Sequence, residues 1–223
     1  MFTRLDDILY PNKVEVLDFS EIGKFFYPMY KCGNSTLRYV AEVKGFKTLV
    51  NDQIKNLSTV DAFIRHPRER YRSAVQTYMY WINRQHPELD FNTVYHYIRQ
   101  GISLDRHLIG QLNWIINLAR YLNPEAKIHL HSMAMLSEYT NNTNIEADKL
   151  HNLDDQLLDE LADNPRLDFQ YRLDQLILNE LVGQSWTVNQ IMTHLMTRDP
   201  TAYFSVIGKT QHLAEVSHVL PKV

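Results

Sequence analysis

The feature that most constrains this chain is residues 24–40, KFFYPMYKCGNSTLRYV. An apolar, aromatic run of strand length gives way at residues 31–35 to a short loop containing Gly33, and helix-compatible sequence follows. A helix starting at such a loop directs unpaired backbone N–H groups and the positive end of its dipole toward the loop, so an anion can be held there with little help from side chains. Lys31 adds a mobile cation, and Ser35 and Thr36 add hydroxyl donors in the first turn. The segment therefore predicts strand, tight loop and helix around a phosphate-like group. It is not the nucleoside-triphosphate loop GxxxxGK[ST], because Lys31 leads and Gly33 follows.

A second unit of the same kind follows. Residues 60–64, VDAFI, read as a short buried parallel strand. Directly after them comes RHPRERYRSAVQTYMYWINR, residues 65–84. Pro67 suits the first helical position, where its missing N–H is no loss and its fixed φ is already helical. Tyr71, Val75, Tyr78 and Ile82 recur at helical spacing and make one apolar stripe, expected to face a sheet. Ser73 lies off that stripe, free to face the end of the strand beside Arg65. Arg68, Arg70 and Arg72 are expected by default on a solvated helix face, with the lining of a ligand cleft as the alternative.

Elsewhere the pattern predicts a strand at 13–19, a helix from 37 to about 51 ended or bent at Gly45, and a helix at 91–100. A helix at 112–122 stops at Asn123 and Pro124, a strand covers 126–133, and residues 141–144 form a turn. From residue 145 the sequence is helical, with stripes at Leu153, Leu157, Leu158, Leu161 and at Leu173, Leu176, Ile177, Leu181, and a last helix at 188–196. Alternating strands and helices predict an α/β fold, a three-layer sandwich around a mostly parallel central sheet, with a helical C-terminal third. The 223 residues are expected to form one domain, 1–223, burying about 70% of the unfolded surface.

The net charge of −3 supplies no global basic field, so nucleic acid is not an expected partner and any bound anion must be met by a local cluster. A single cysteine, Cys32, rules out an internal disulfide and a cysteine-based zinc site, and fits a reducing compartment. The first residues carry no signal-peptide-like apolar run, and no stretch of about twenty apolar residues occurs. The expectation is a soluble, cytoplasmic protein without a membrane partner.

YPMYKCGNSTL resembles the 5′-phosphosulfate loop of sulfotransferases that use 3′-phosphoadenosine 5′-phosphosulfate (PAPS). FIRHPRERYRSA resembles their 3′-phosphate motif, an Arg at a strand end followed eight residues later by a Ser, here Arg65 and Ser73, with the usual Pro and second Arg between. SLDRHLIGQLNWI is similar, more loosely, to a segment of Golgi-type carbohydrate sulfotransferases: Asp105, His107 and Gln111 match, while Gly110 stands where a Pro is usual. The likeness covers roughly residues 24–133. It implies a P-loop-like fold, with PAPS as sulfuryl donor, 3′-phosphoadenosine 5′-phosphate (PAP) as product, no metal, and a hydroxyl acceptor, expected to be a carbohydrate.

Carried onto this chain, the resemblance makes Lys31 the residue that contacts the 5′-phosphosulfate and steadies charge on the leaving phosphate. Cys32, Gly33, Asn34, Ser35, Thr36 and Leu37 would form the surrounding loop, and Arg65 and Ser73 would hold the 3′-phosphate. The general base varies within the family. His107 is the first candidate, with Asp105 as orienting partner, against the plain alternative of a loop histidine with no role. Glu42 is the second, although at i, i+4 it is also placed to pair with Arg38. His129 and His131 share a strand face and could be metal ligands, but with no third ligand evident a structural pair is expected. Tyr27, Tyr30 and Trp114 are expected in the core. The rival reading is a non-catalytic nucleotide- or phospho-ligand-binding protein of the same fold.

Overall fold

In a computed structural model that describes residues 13–85, 87–88, 90, 92–93, 96, 107, 110–140 and 180–198, six strands form one mixed sheet. They are β1 (Glu15–Phe19), β2 (Lys24–Tyr27), β3 (Thr48–Val50), β4 (Thr59–Ile64), β5 (Lys127–Ser132) and β6 (Ser185–Thr187), in the spatial order β3-β1-β2-β4-β5-β6. The central strands β2, β4 and β5 run parallel, whereas β1, β3 and β6 join antiparallel. The sheet is thus parallel only in its middle. Among the described residues the helices of eight or more residues are α1 (Asn34–Lys44), α2 (Pro67–Gln85), α3 (Gln111–Ala119) and, after a short α4 (Leu136–Thr140), α5 (Val188–Arg198).

Successive strand residues point to opposite faces, and helices cover both. Val60, Ala62 and Ile64 of β4, with Ile128 and Leu130 of β5, share a buried cluster with Ile115 and Leu118 of α3 and Ile191 of α5. Leu17, Phe26 and Phe63 form the other cluster, with Leu37 and Ala41 of α1 and Leu136 of α4. Burial on both faces is why β4 reads as an almost unbroken apolar run.

Local signals set the helix ends. Pro67 opens α2, where Tyr71, Ala74, Val75 and Tyr78 are buried; the side chain of Ile82 lies outside the described residues. Gly45, at φ 70°, ends α1 in the left-handed conformation and donates its N–H to the carbonyls of Ala41 and Glu42. The helix predicted to reach residue 51 is therefore shorter: Thr48–Val50 pair with β1 as β3, and Asn51–Ile54 form a 3-10 turn. The helix predicted at 112–122 is Gln111–Ala119, and β6 was not predicted. The helix at 91–100 is described at only three of its positions, and the turn at 141–144 and the stripes from 153 to 177 lie wholly outside the described residues; Leu181 is buried. Among the described residues no helix is long and apolar enough to cross a membrane.

Candidate anion-binding site

Phe26 of β2 aligns with Asp61 of β4, and Tyr27 with Ala62. Because the two strands are parallel neighbours, their carboxyl ends lie side by side, the position at which open α/β sheets generally accept ligands. The loops that follow line one cleft of about 190 Å³. The first contributes Tyr30, Lys31 and Gly33 together with the opening residues of α1, Asn34, Ser35 and Thr36. The second contributes Arg65, and Ser73 reaches the cleft from α2. His107 completes the lining, which contains no carboxylate among the described residues.

The backbone of the first loop is unusual. Lys31 has φ 64° and Gly33 has φ 81°. A non-glycine residue in this region costs of order 1 kcal/mol, so the surrounding structure must hold Lys31 there. At Gly33 a Cβ would lie 2.7 Å from Leu136 Cδ2, so glycine answers both a conformational and a packing demand. As N-cap, Gly33 brings no side-chain acceptor, and the first turn of α1 holds no acidic residue. The positive end of this helix is left uncompensated by its own sequence where it meets the cleft.

Arg65 is held through its main chain. The side-chain Nε2 of Gln111 donates to the Arg65 carbonyl at 2.8 Å, and Gln111 Oε1 accepts the Arg65 N–H at 2.8 Å. The same oxygen accepts the Cys32 thiol at 3.2 Å. The Arg65 guanidinium lies 3.5 Å from Glu69, whose side chain is half exposed, a pair of the kind that contributes little. One turn before Ser73, Arg70 is 2% exposed, donates Nε–H to the Tyr30 carbonyl at 3.3 Å, and leaves Nη2 without a hydrogen-bond partner. No carboxylate pairs with it among the described residues. A buried cation without a counter-charge is costly, and it raises the positive potential under the first loop.

Several expectations need correction. Cys32 is buried with its thiol turned to Gln111, and Leu37 is buried against Phe26 and Phe63, so neither side chain lines the cleft. Glu42 sits exposed near the far end of α1 and does not line the cleft either. Its suggested partner Arg38 instead binds Glu15 at 2.6 Å and Asn34 Oδ1 at 2.8 Å. Arg70 is buried rather than solvated; spacing with Ala74 and Tyr78 at i+4 and i+8 was the available signal, outweighed by its charge. Tyr27 and Trp114 are core residues as expected, whereas half-buried Tyr30 also lines the cleft, its ring 4.7 Å from that of His107. Asp105 lies outside the described residues. Gln111 carried no local sign of its bonds to both loops.

His129 and His131 do have a third group beside them. Asp61, 1% exposed, aligns with His129 across the β4–β5 pair, and the ligand atoms of all three lie within 4.8 Å of one another. Asp61 Oδ1 accepts from Lys24 Nζ at 2.8 Å and lies 2.6 Å from His131 Nε2. Burial raises the Asp61 carboxyl, but His131 and Lys24 outweigh it and hold the group below its ordinary range. Burial, His131 and Lys24 lower His129 despite the opposing pull of Asp61. Lys24 balances the Asp61 charge, and none of these residues lines the cleft. Comparisons with protein-family models, with curated proteins and with solved structures returned no match.

Proposed function

We propose that this chain is a PAPS-dependent sulfotransferase with a P-loop-like fold that moves a sulfuryl group to a hydroxyl, on a carbohydrate. One observation carries the reading: Lys31, the first turn of α1, Arg65 and Ser73 come from two separate strand, loop and helix units and line a single cleft. A donor with phosphate groups at both ends of an adenosine needs two such grips a fixed distance apart.

In sulfuryl transfer the group passes in line between two oxygens, so the protein chiefly positions and neutralises charge. Lys31 and the first-turn amides of α1 stabilise charge growing on the leaving phosphate. Arg65 offers a planar fork and Ser73 a hydroxyl to the 3′-phosphate. Buried Arg70, with one unpaired donor beneath the first loop, adds a positive charge that an anion relieves. His107, in the same lining, accepts the proton of the acceptor hydroxyl.

Calorimetry with PAP, ADP and ATP tests the donor site, and transfer of labelled sulfate to a glycan panel tests the reaction. The expected result is preference for PAP over ADP, lost by at least tenfold in Lys31→Ala and Arg65→Ala, followed by transfer. Preference for ATP would overturn the reading. Tight PAP binding without transfer to any acceptor would favour the non-catalytic binder instead.

A further inference from the structure

Taking the two-grip reading of the cleft as its basis, we infer that Gln111 is the positioning residue that holds the two phosphate grips in register and couples them. Gln111 opens α3 and is 1% exposed. Its amide makes a cyclic pair with Arg65, accepting from the N–H and donating to the carbonyl, both 2.8 Å, as a neighbouring strand would. Arg65 directly follows the last residue of β4, so a side chain takes over where a strand partner would otherwise be needed. The oxygen that accepts from Arg65 also accepts the Cys32 thiol at 3.2 Å. Cys32 stands between Lys31 and Gly33, the two positive-φ residues of the first loop.

One buried amide therefore touches both loops, at Arg65 itself and at Cys32, the residue between Lys31 and Gly33. A move of Cys32 that lengthens its bond changes the acceptor shared with Arg65, and the reverse also holds. Arg70 makes a parallel tie from α2 to Tyr30. Neither Gln111 nor Arg70 lines the cleft. Gln111 acts through Lys31 and Arg65, so an anion that settles the first loop also sharpens the placement of the Arg65 fork. The 3′- and 5′-phosphates of one ligand then bind with a coupling that neither loop has alone.

The readout is the ratio of the Kd for adenosine 5′-monophosphate to the Kd for PAP, which isolates the 3′-phosphate. Gln111→Glu keeps the size and the acceptor oxygen but cannot donate to the Arg65 carbonyl when ionised. Wild type is expected to show a ratio of at least ten. In Gln111→Glu the ratio falls toward one at alkaline pH, where the buried carboxyl is ionised, and recovers as pH is lowered and the protonated carboxyl donates again. Arg65→Ala then costs tenfold or more in wild type and less than threefold in the Gln111→Glu background. A wild-type ratio near one would overturn the donor-site reading and this inference together. A large wild-type ratio that survives in Gln111→Glu would overturn the coupling alone. Should the variant fail to fold, amide exchange in the wild type decides: adenosine 5′-monophosphate slows exchange at Arg65 if the loops are coupled, and unchanged exchange refutes it.

Discussion

Arg70 Nε donates to the carbonyl oxygen of Tyr30 from a position only 2% exposed. The contact joins a helix that follows β4 to a loop that follows β2, and it does so with a charged group whose Nη2 has no hydrogen-bond partner among the described residues. Such an arrangement favours anion binding at the expense of the unliganded protein, because a buried cation without a counter-charge is destabilising.

Arg70→Met tests that balance. Apolar replacement of a buried charge removes its desolvation penalty, and for a chain of this size each 1 kcal/mol moves Tm by about 2–4 °C. We expect the ligand-free Tm to hold or rise while PAP affinity falls about tenfold. Calorimetry and thermal unfolding check both arms; a lower Tm with unchanged PAP affinity would show that Arg70 serves only the fold.

Gly33→Ala should destabilise by about 1–2 kcal/mol, because φ 81° is unfavourable for any residue with a Cβ. The added methyl also meets Leu136 Cδ2 at 2.7 Å. In a Leu136→Ala background that contact is gone but the backbone conformation is not, so about 1 kcal/mol of the penalty should remain. Chemical denaturation of the four proteins in the cycle measures it. If Gly33→Ala costs nothing in the Leu136→Ala background, the penalty is steric and the backbone argument fails.

His107 lines the cleft and Glu42 does not, so the two candidate bases are separable. His107→Gln should lower the rate of sulfate transfer by about 10²–10⁴-fold with PAP affinity within twofold of wild type. Glu42→Gln should leave both nearly unchanged. Steady-state rates for the two variants give the answer, and the opposite pattern would move the base to α1.

Acid should lower the stability of this protein in two stages. The His129 pKa is lowered in the folded state, so its contribution is present above the ordinary histidine value of about 6.5 and is lost as pH falls through the lower folded value. Asp61, held below about 3.9 by His131 and Lys24, contributes stability that persists above that value and is lost as pH falls further. Denaturation curves recorded between pH 8 and 3 should show His129→Gln flattening the upper stage and Asp61→Asn the lower. Identical pH slopes in all three proteins would rule out a role for the cluster in acid stability.

What could be read along the chain was what depends on near neighbours. Gly45 ends α1 because it adopts φ 70° readily, Pro67 opens α2 because its φ is preset, and both cleft loops announce themselves by a cation beside turn and hydroxyl residues. The three-residue strands β3 and β6 are too short to carry a period of their own, and the pairing that makes them strands comes from β1 and β5. Burial of Arg70 was hidden for a related reason, since charge predicts exposure until a distant carbonyl is known to be waiting. Sequence by itself determined two loops that each follow a strand and carry a cation, Lys31 and Arg65. Only the parallel pairing of β2 with β4, and the reach of Gln111 across 46 residues to Arg65 and 79 to Cys32, decided that they share a cleft. Contacts between residues so far apart are specified by packing, which no local pattern records.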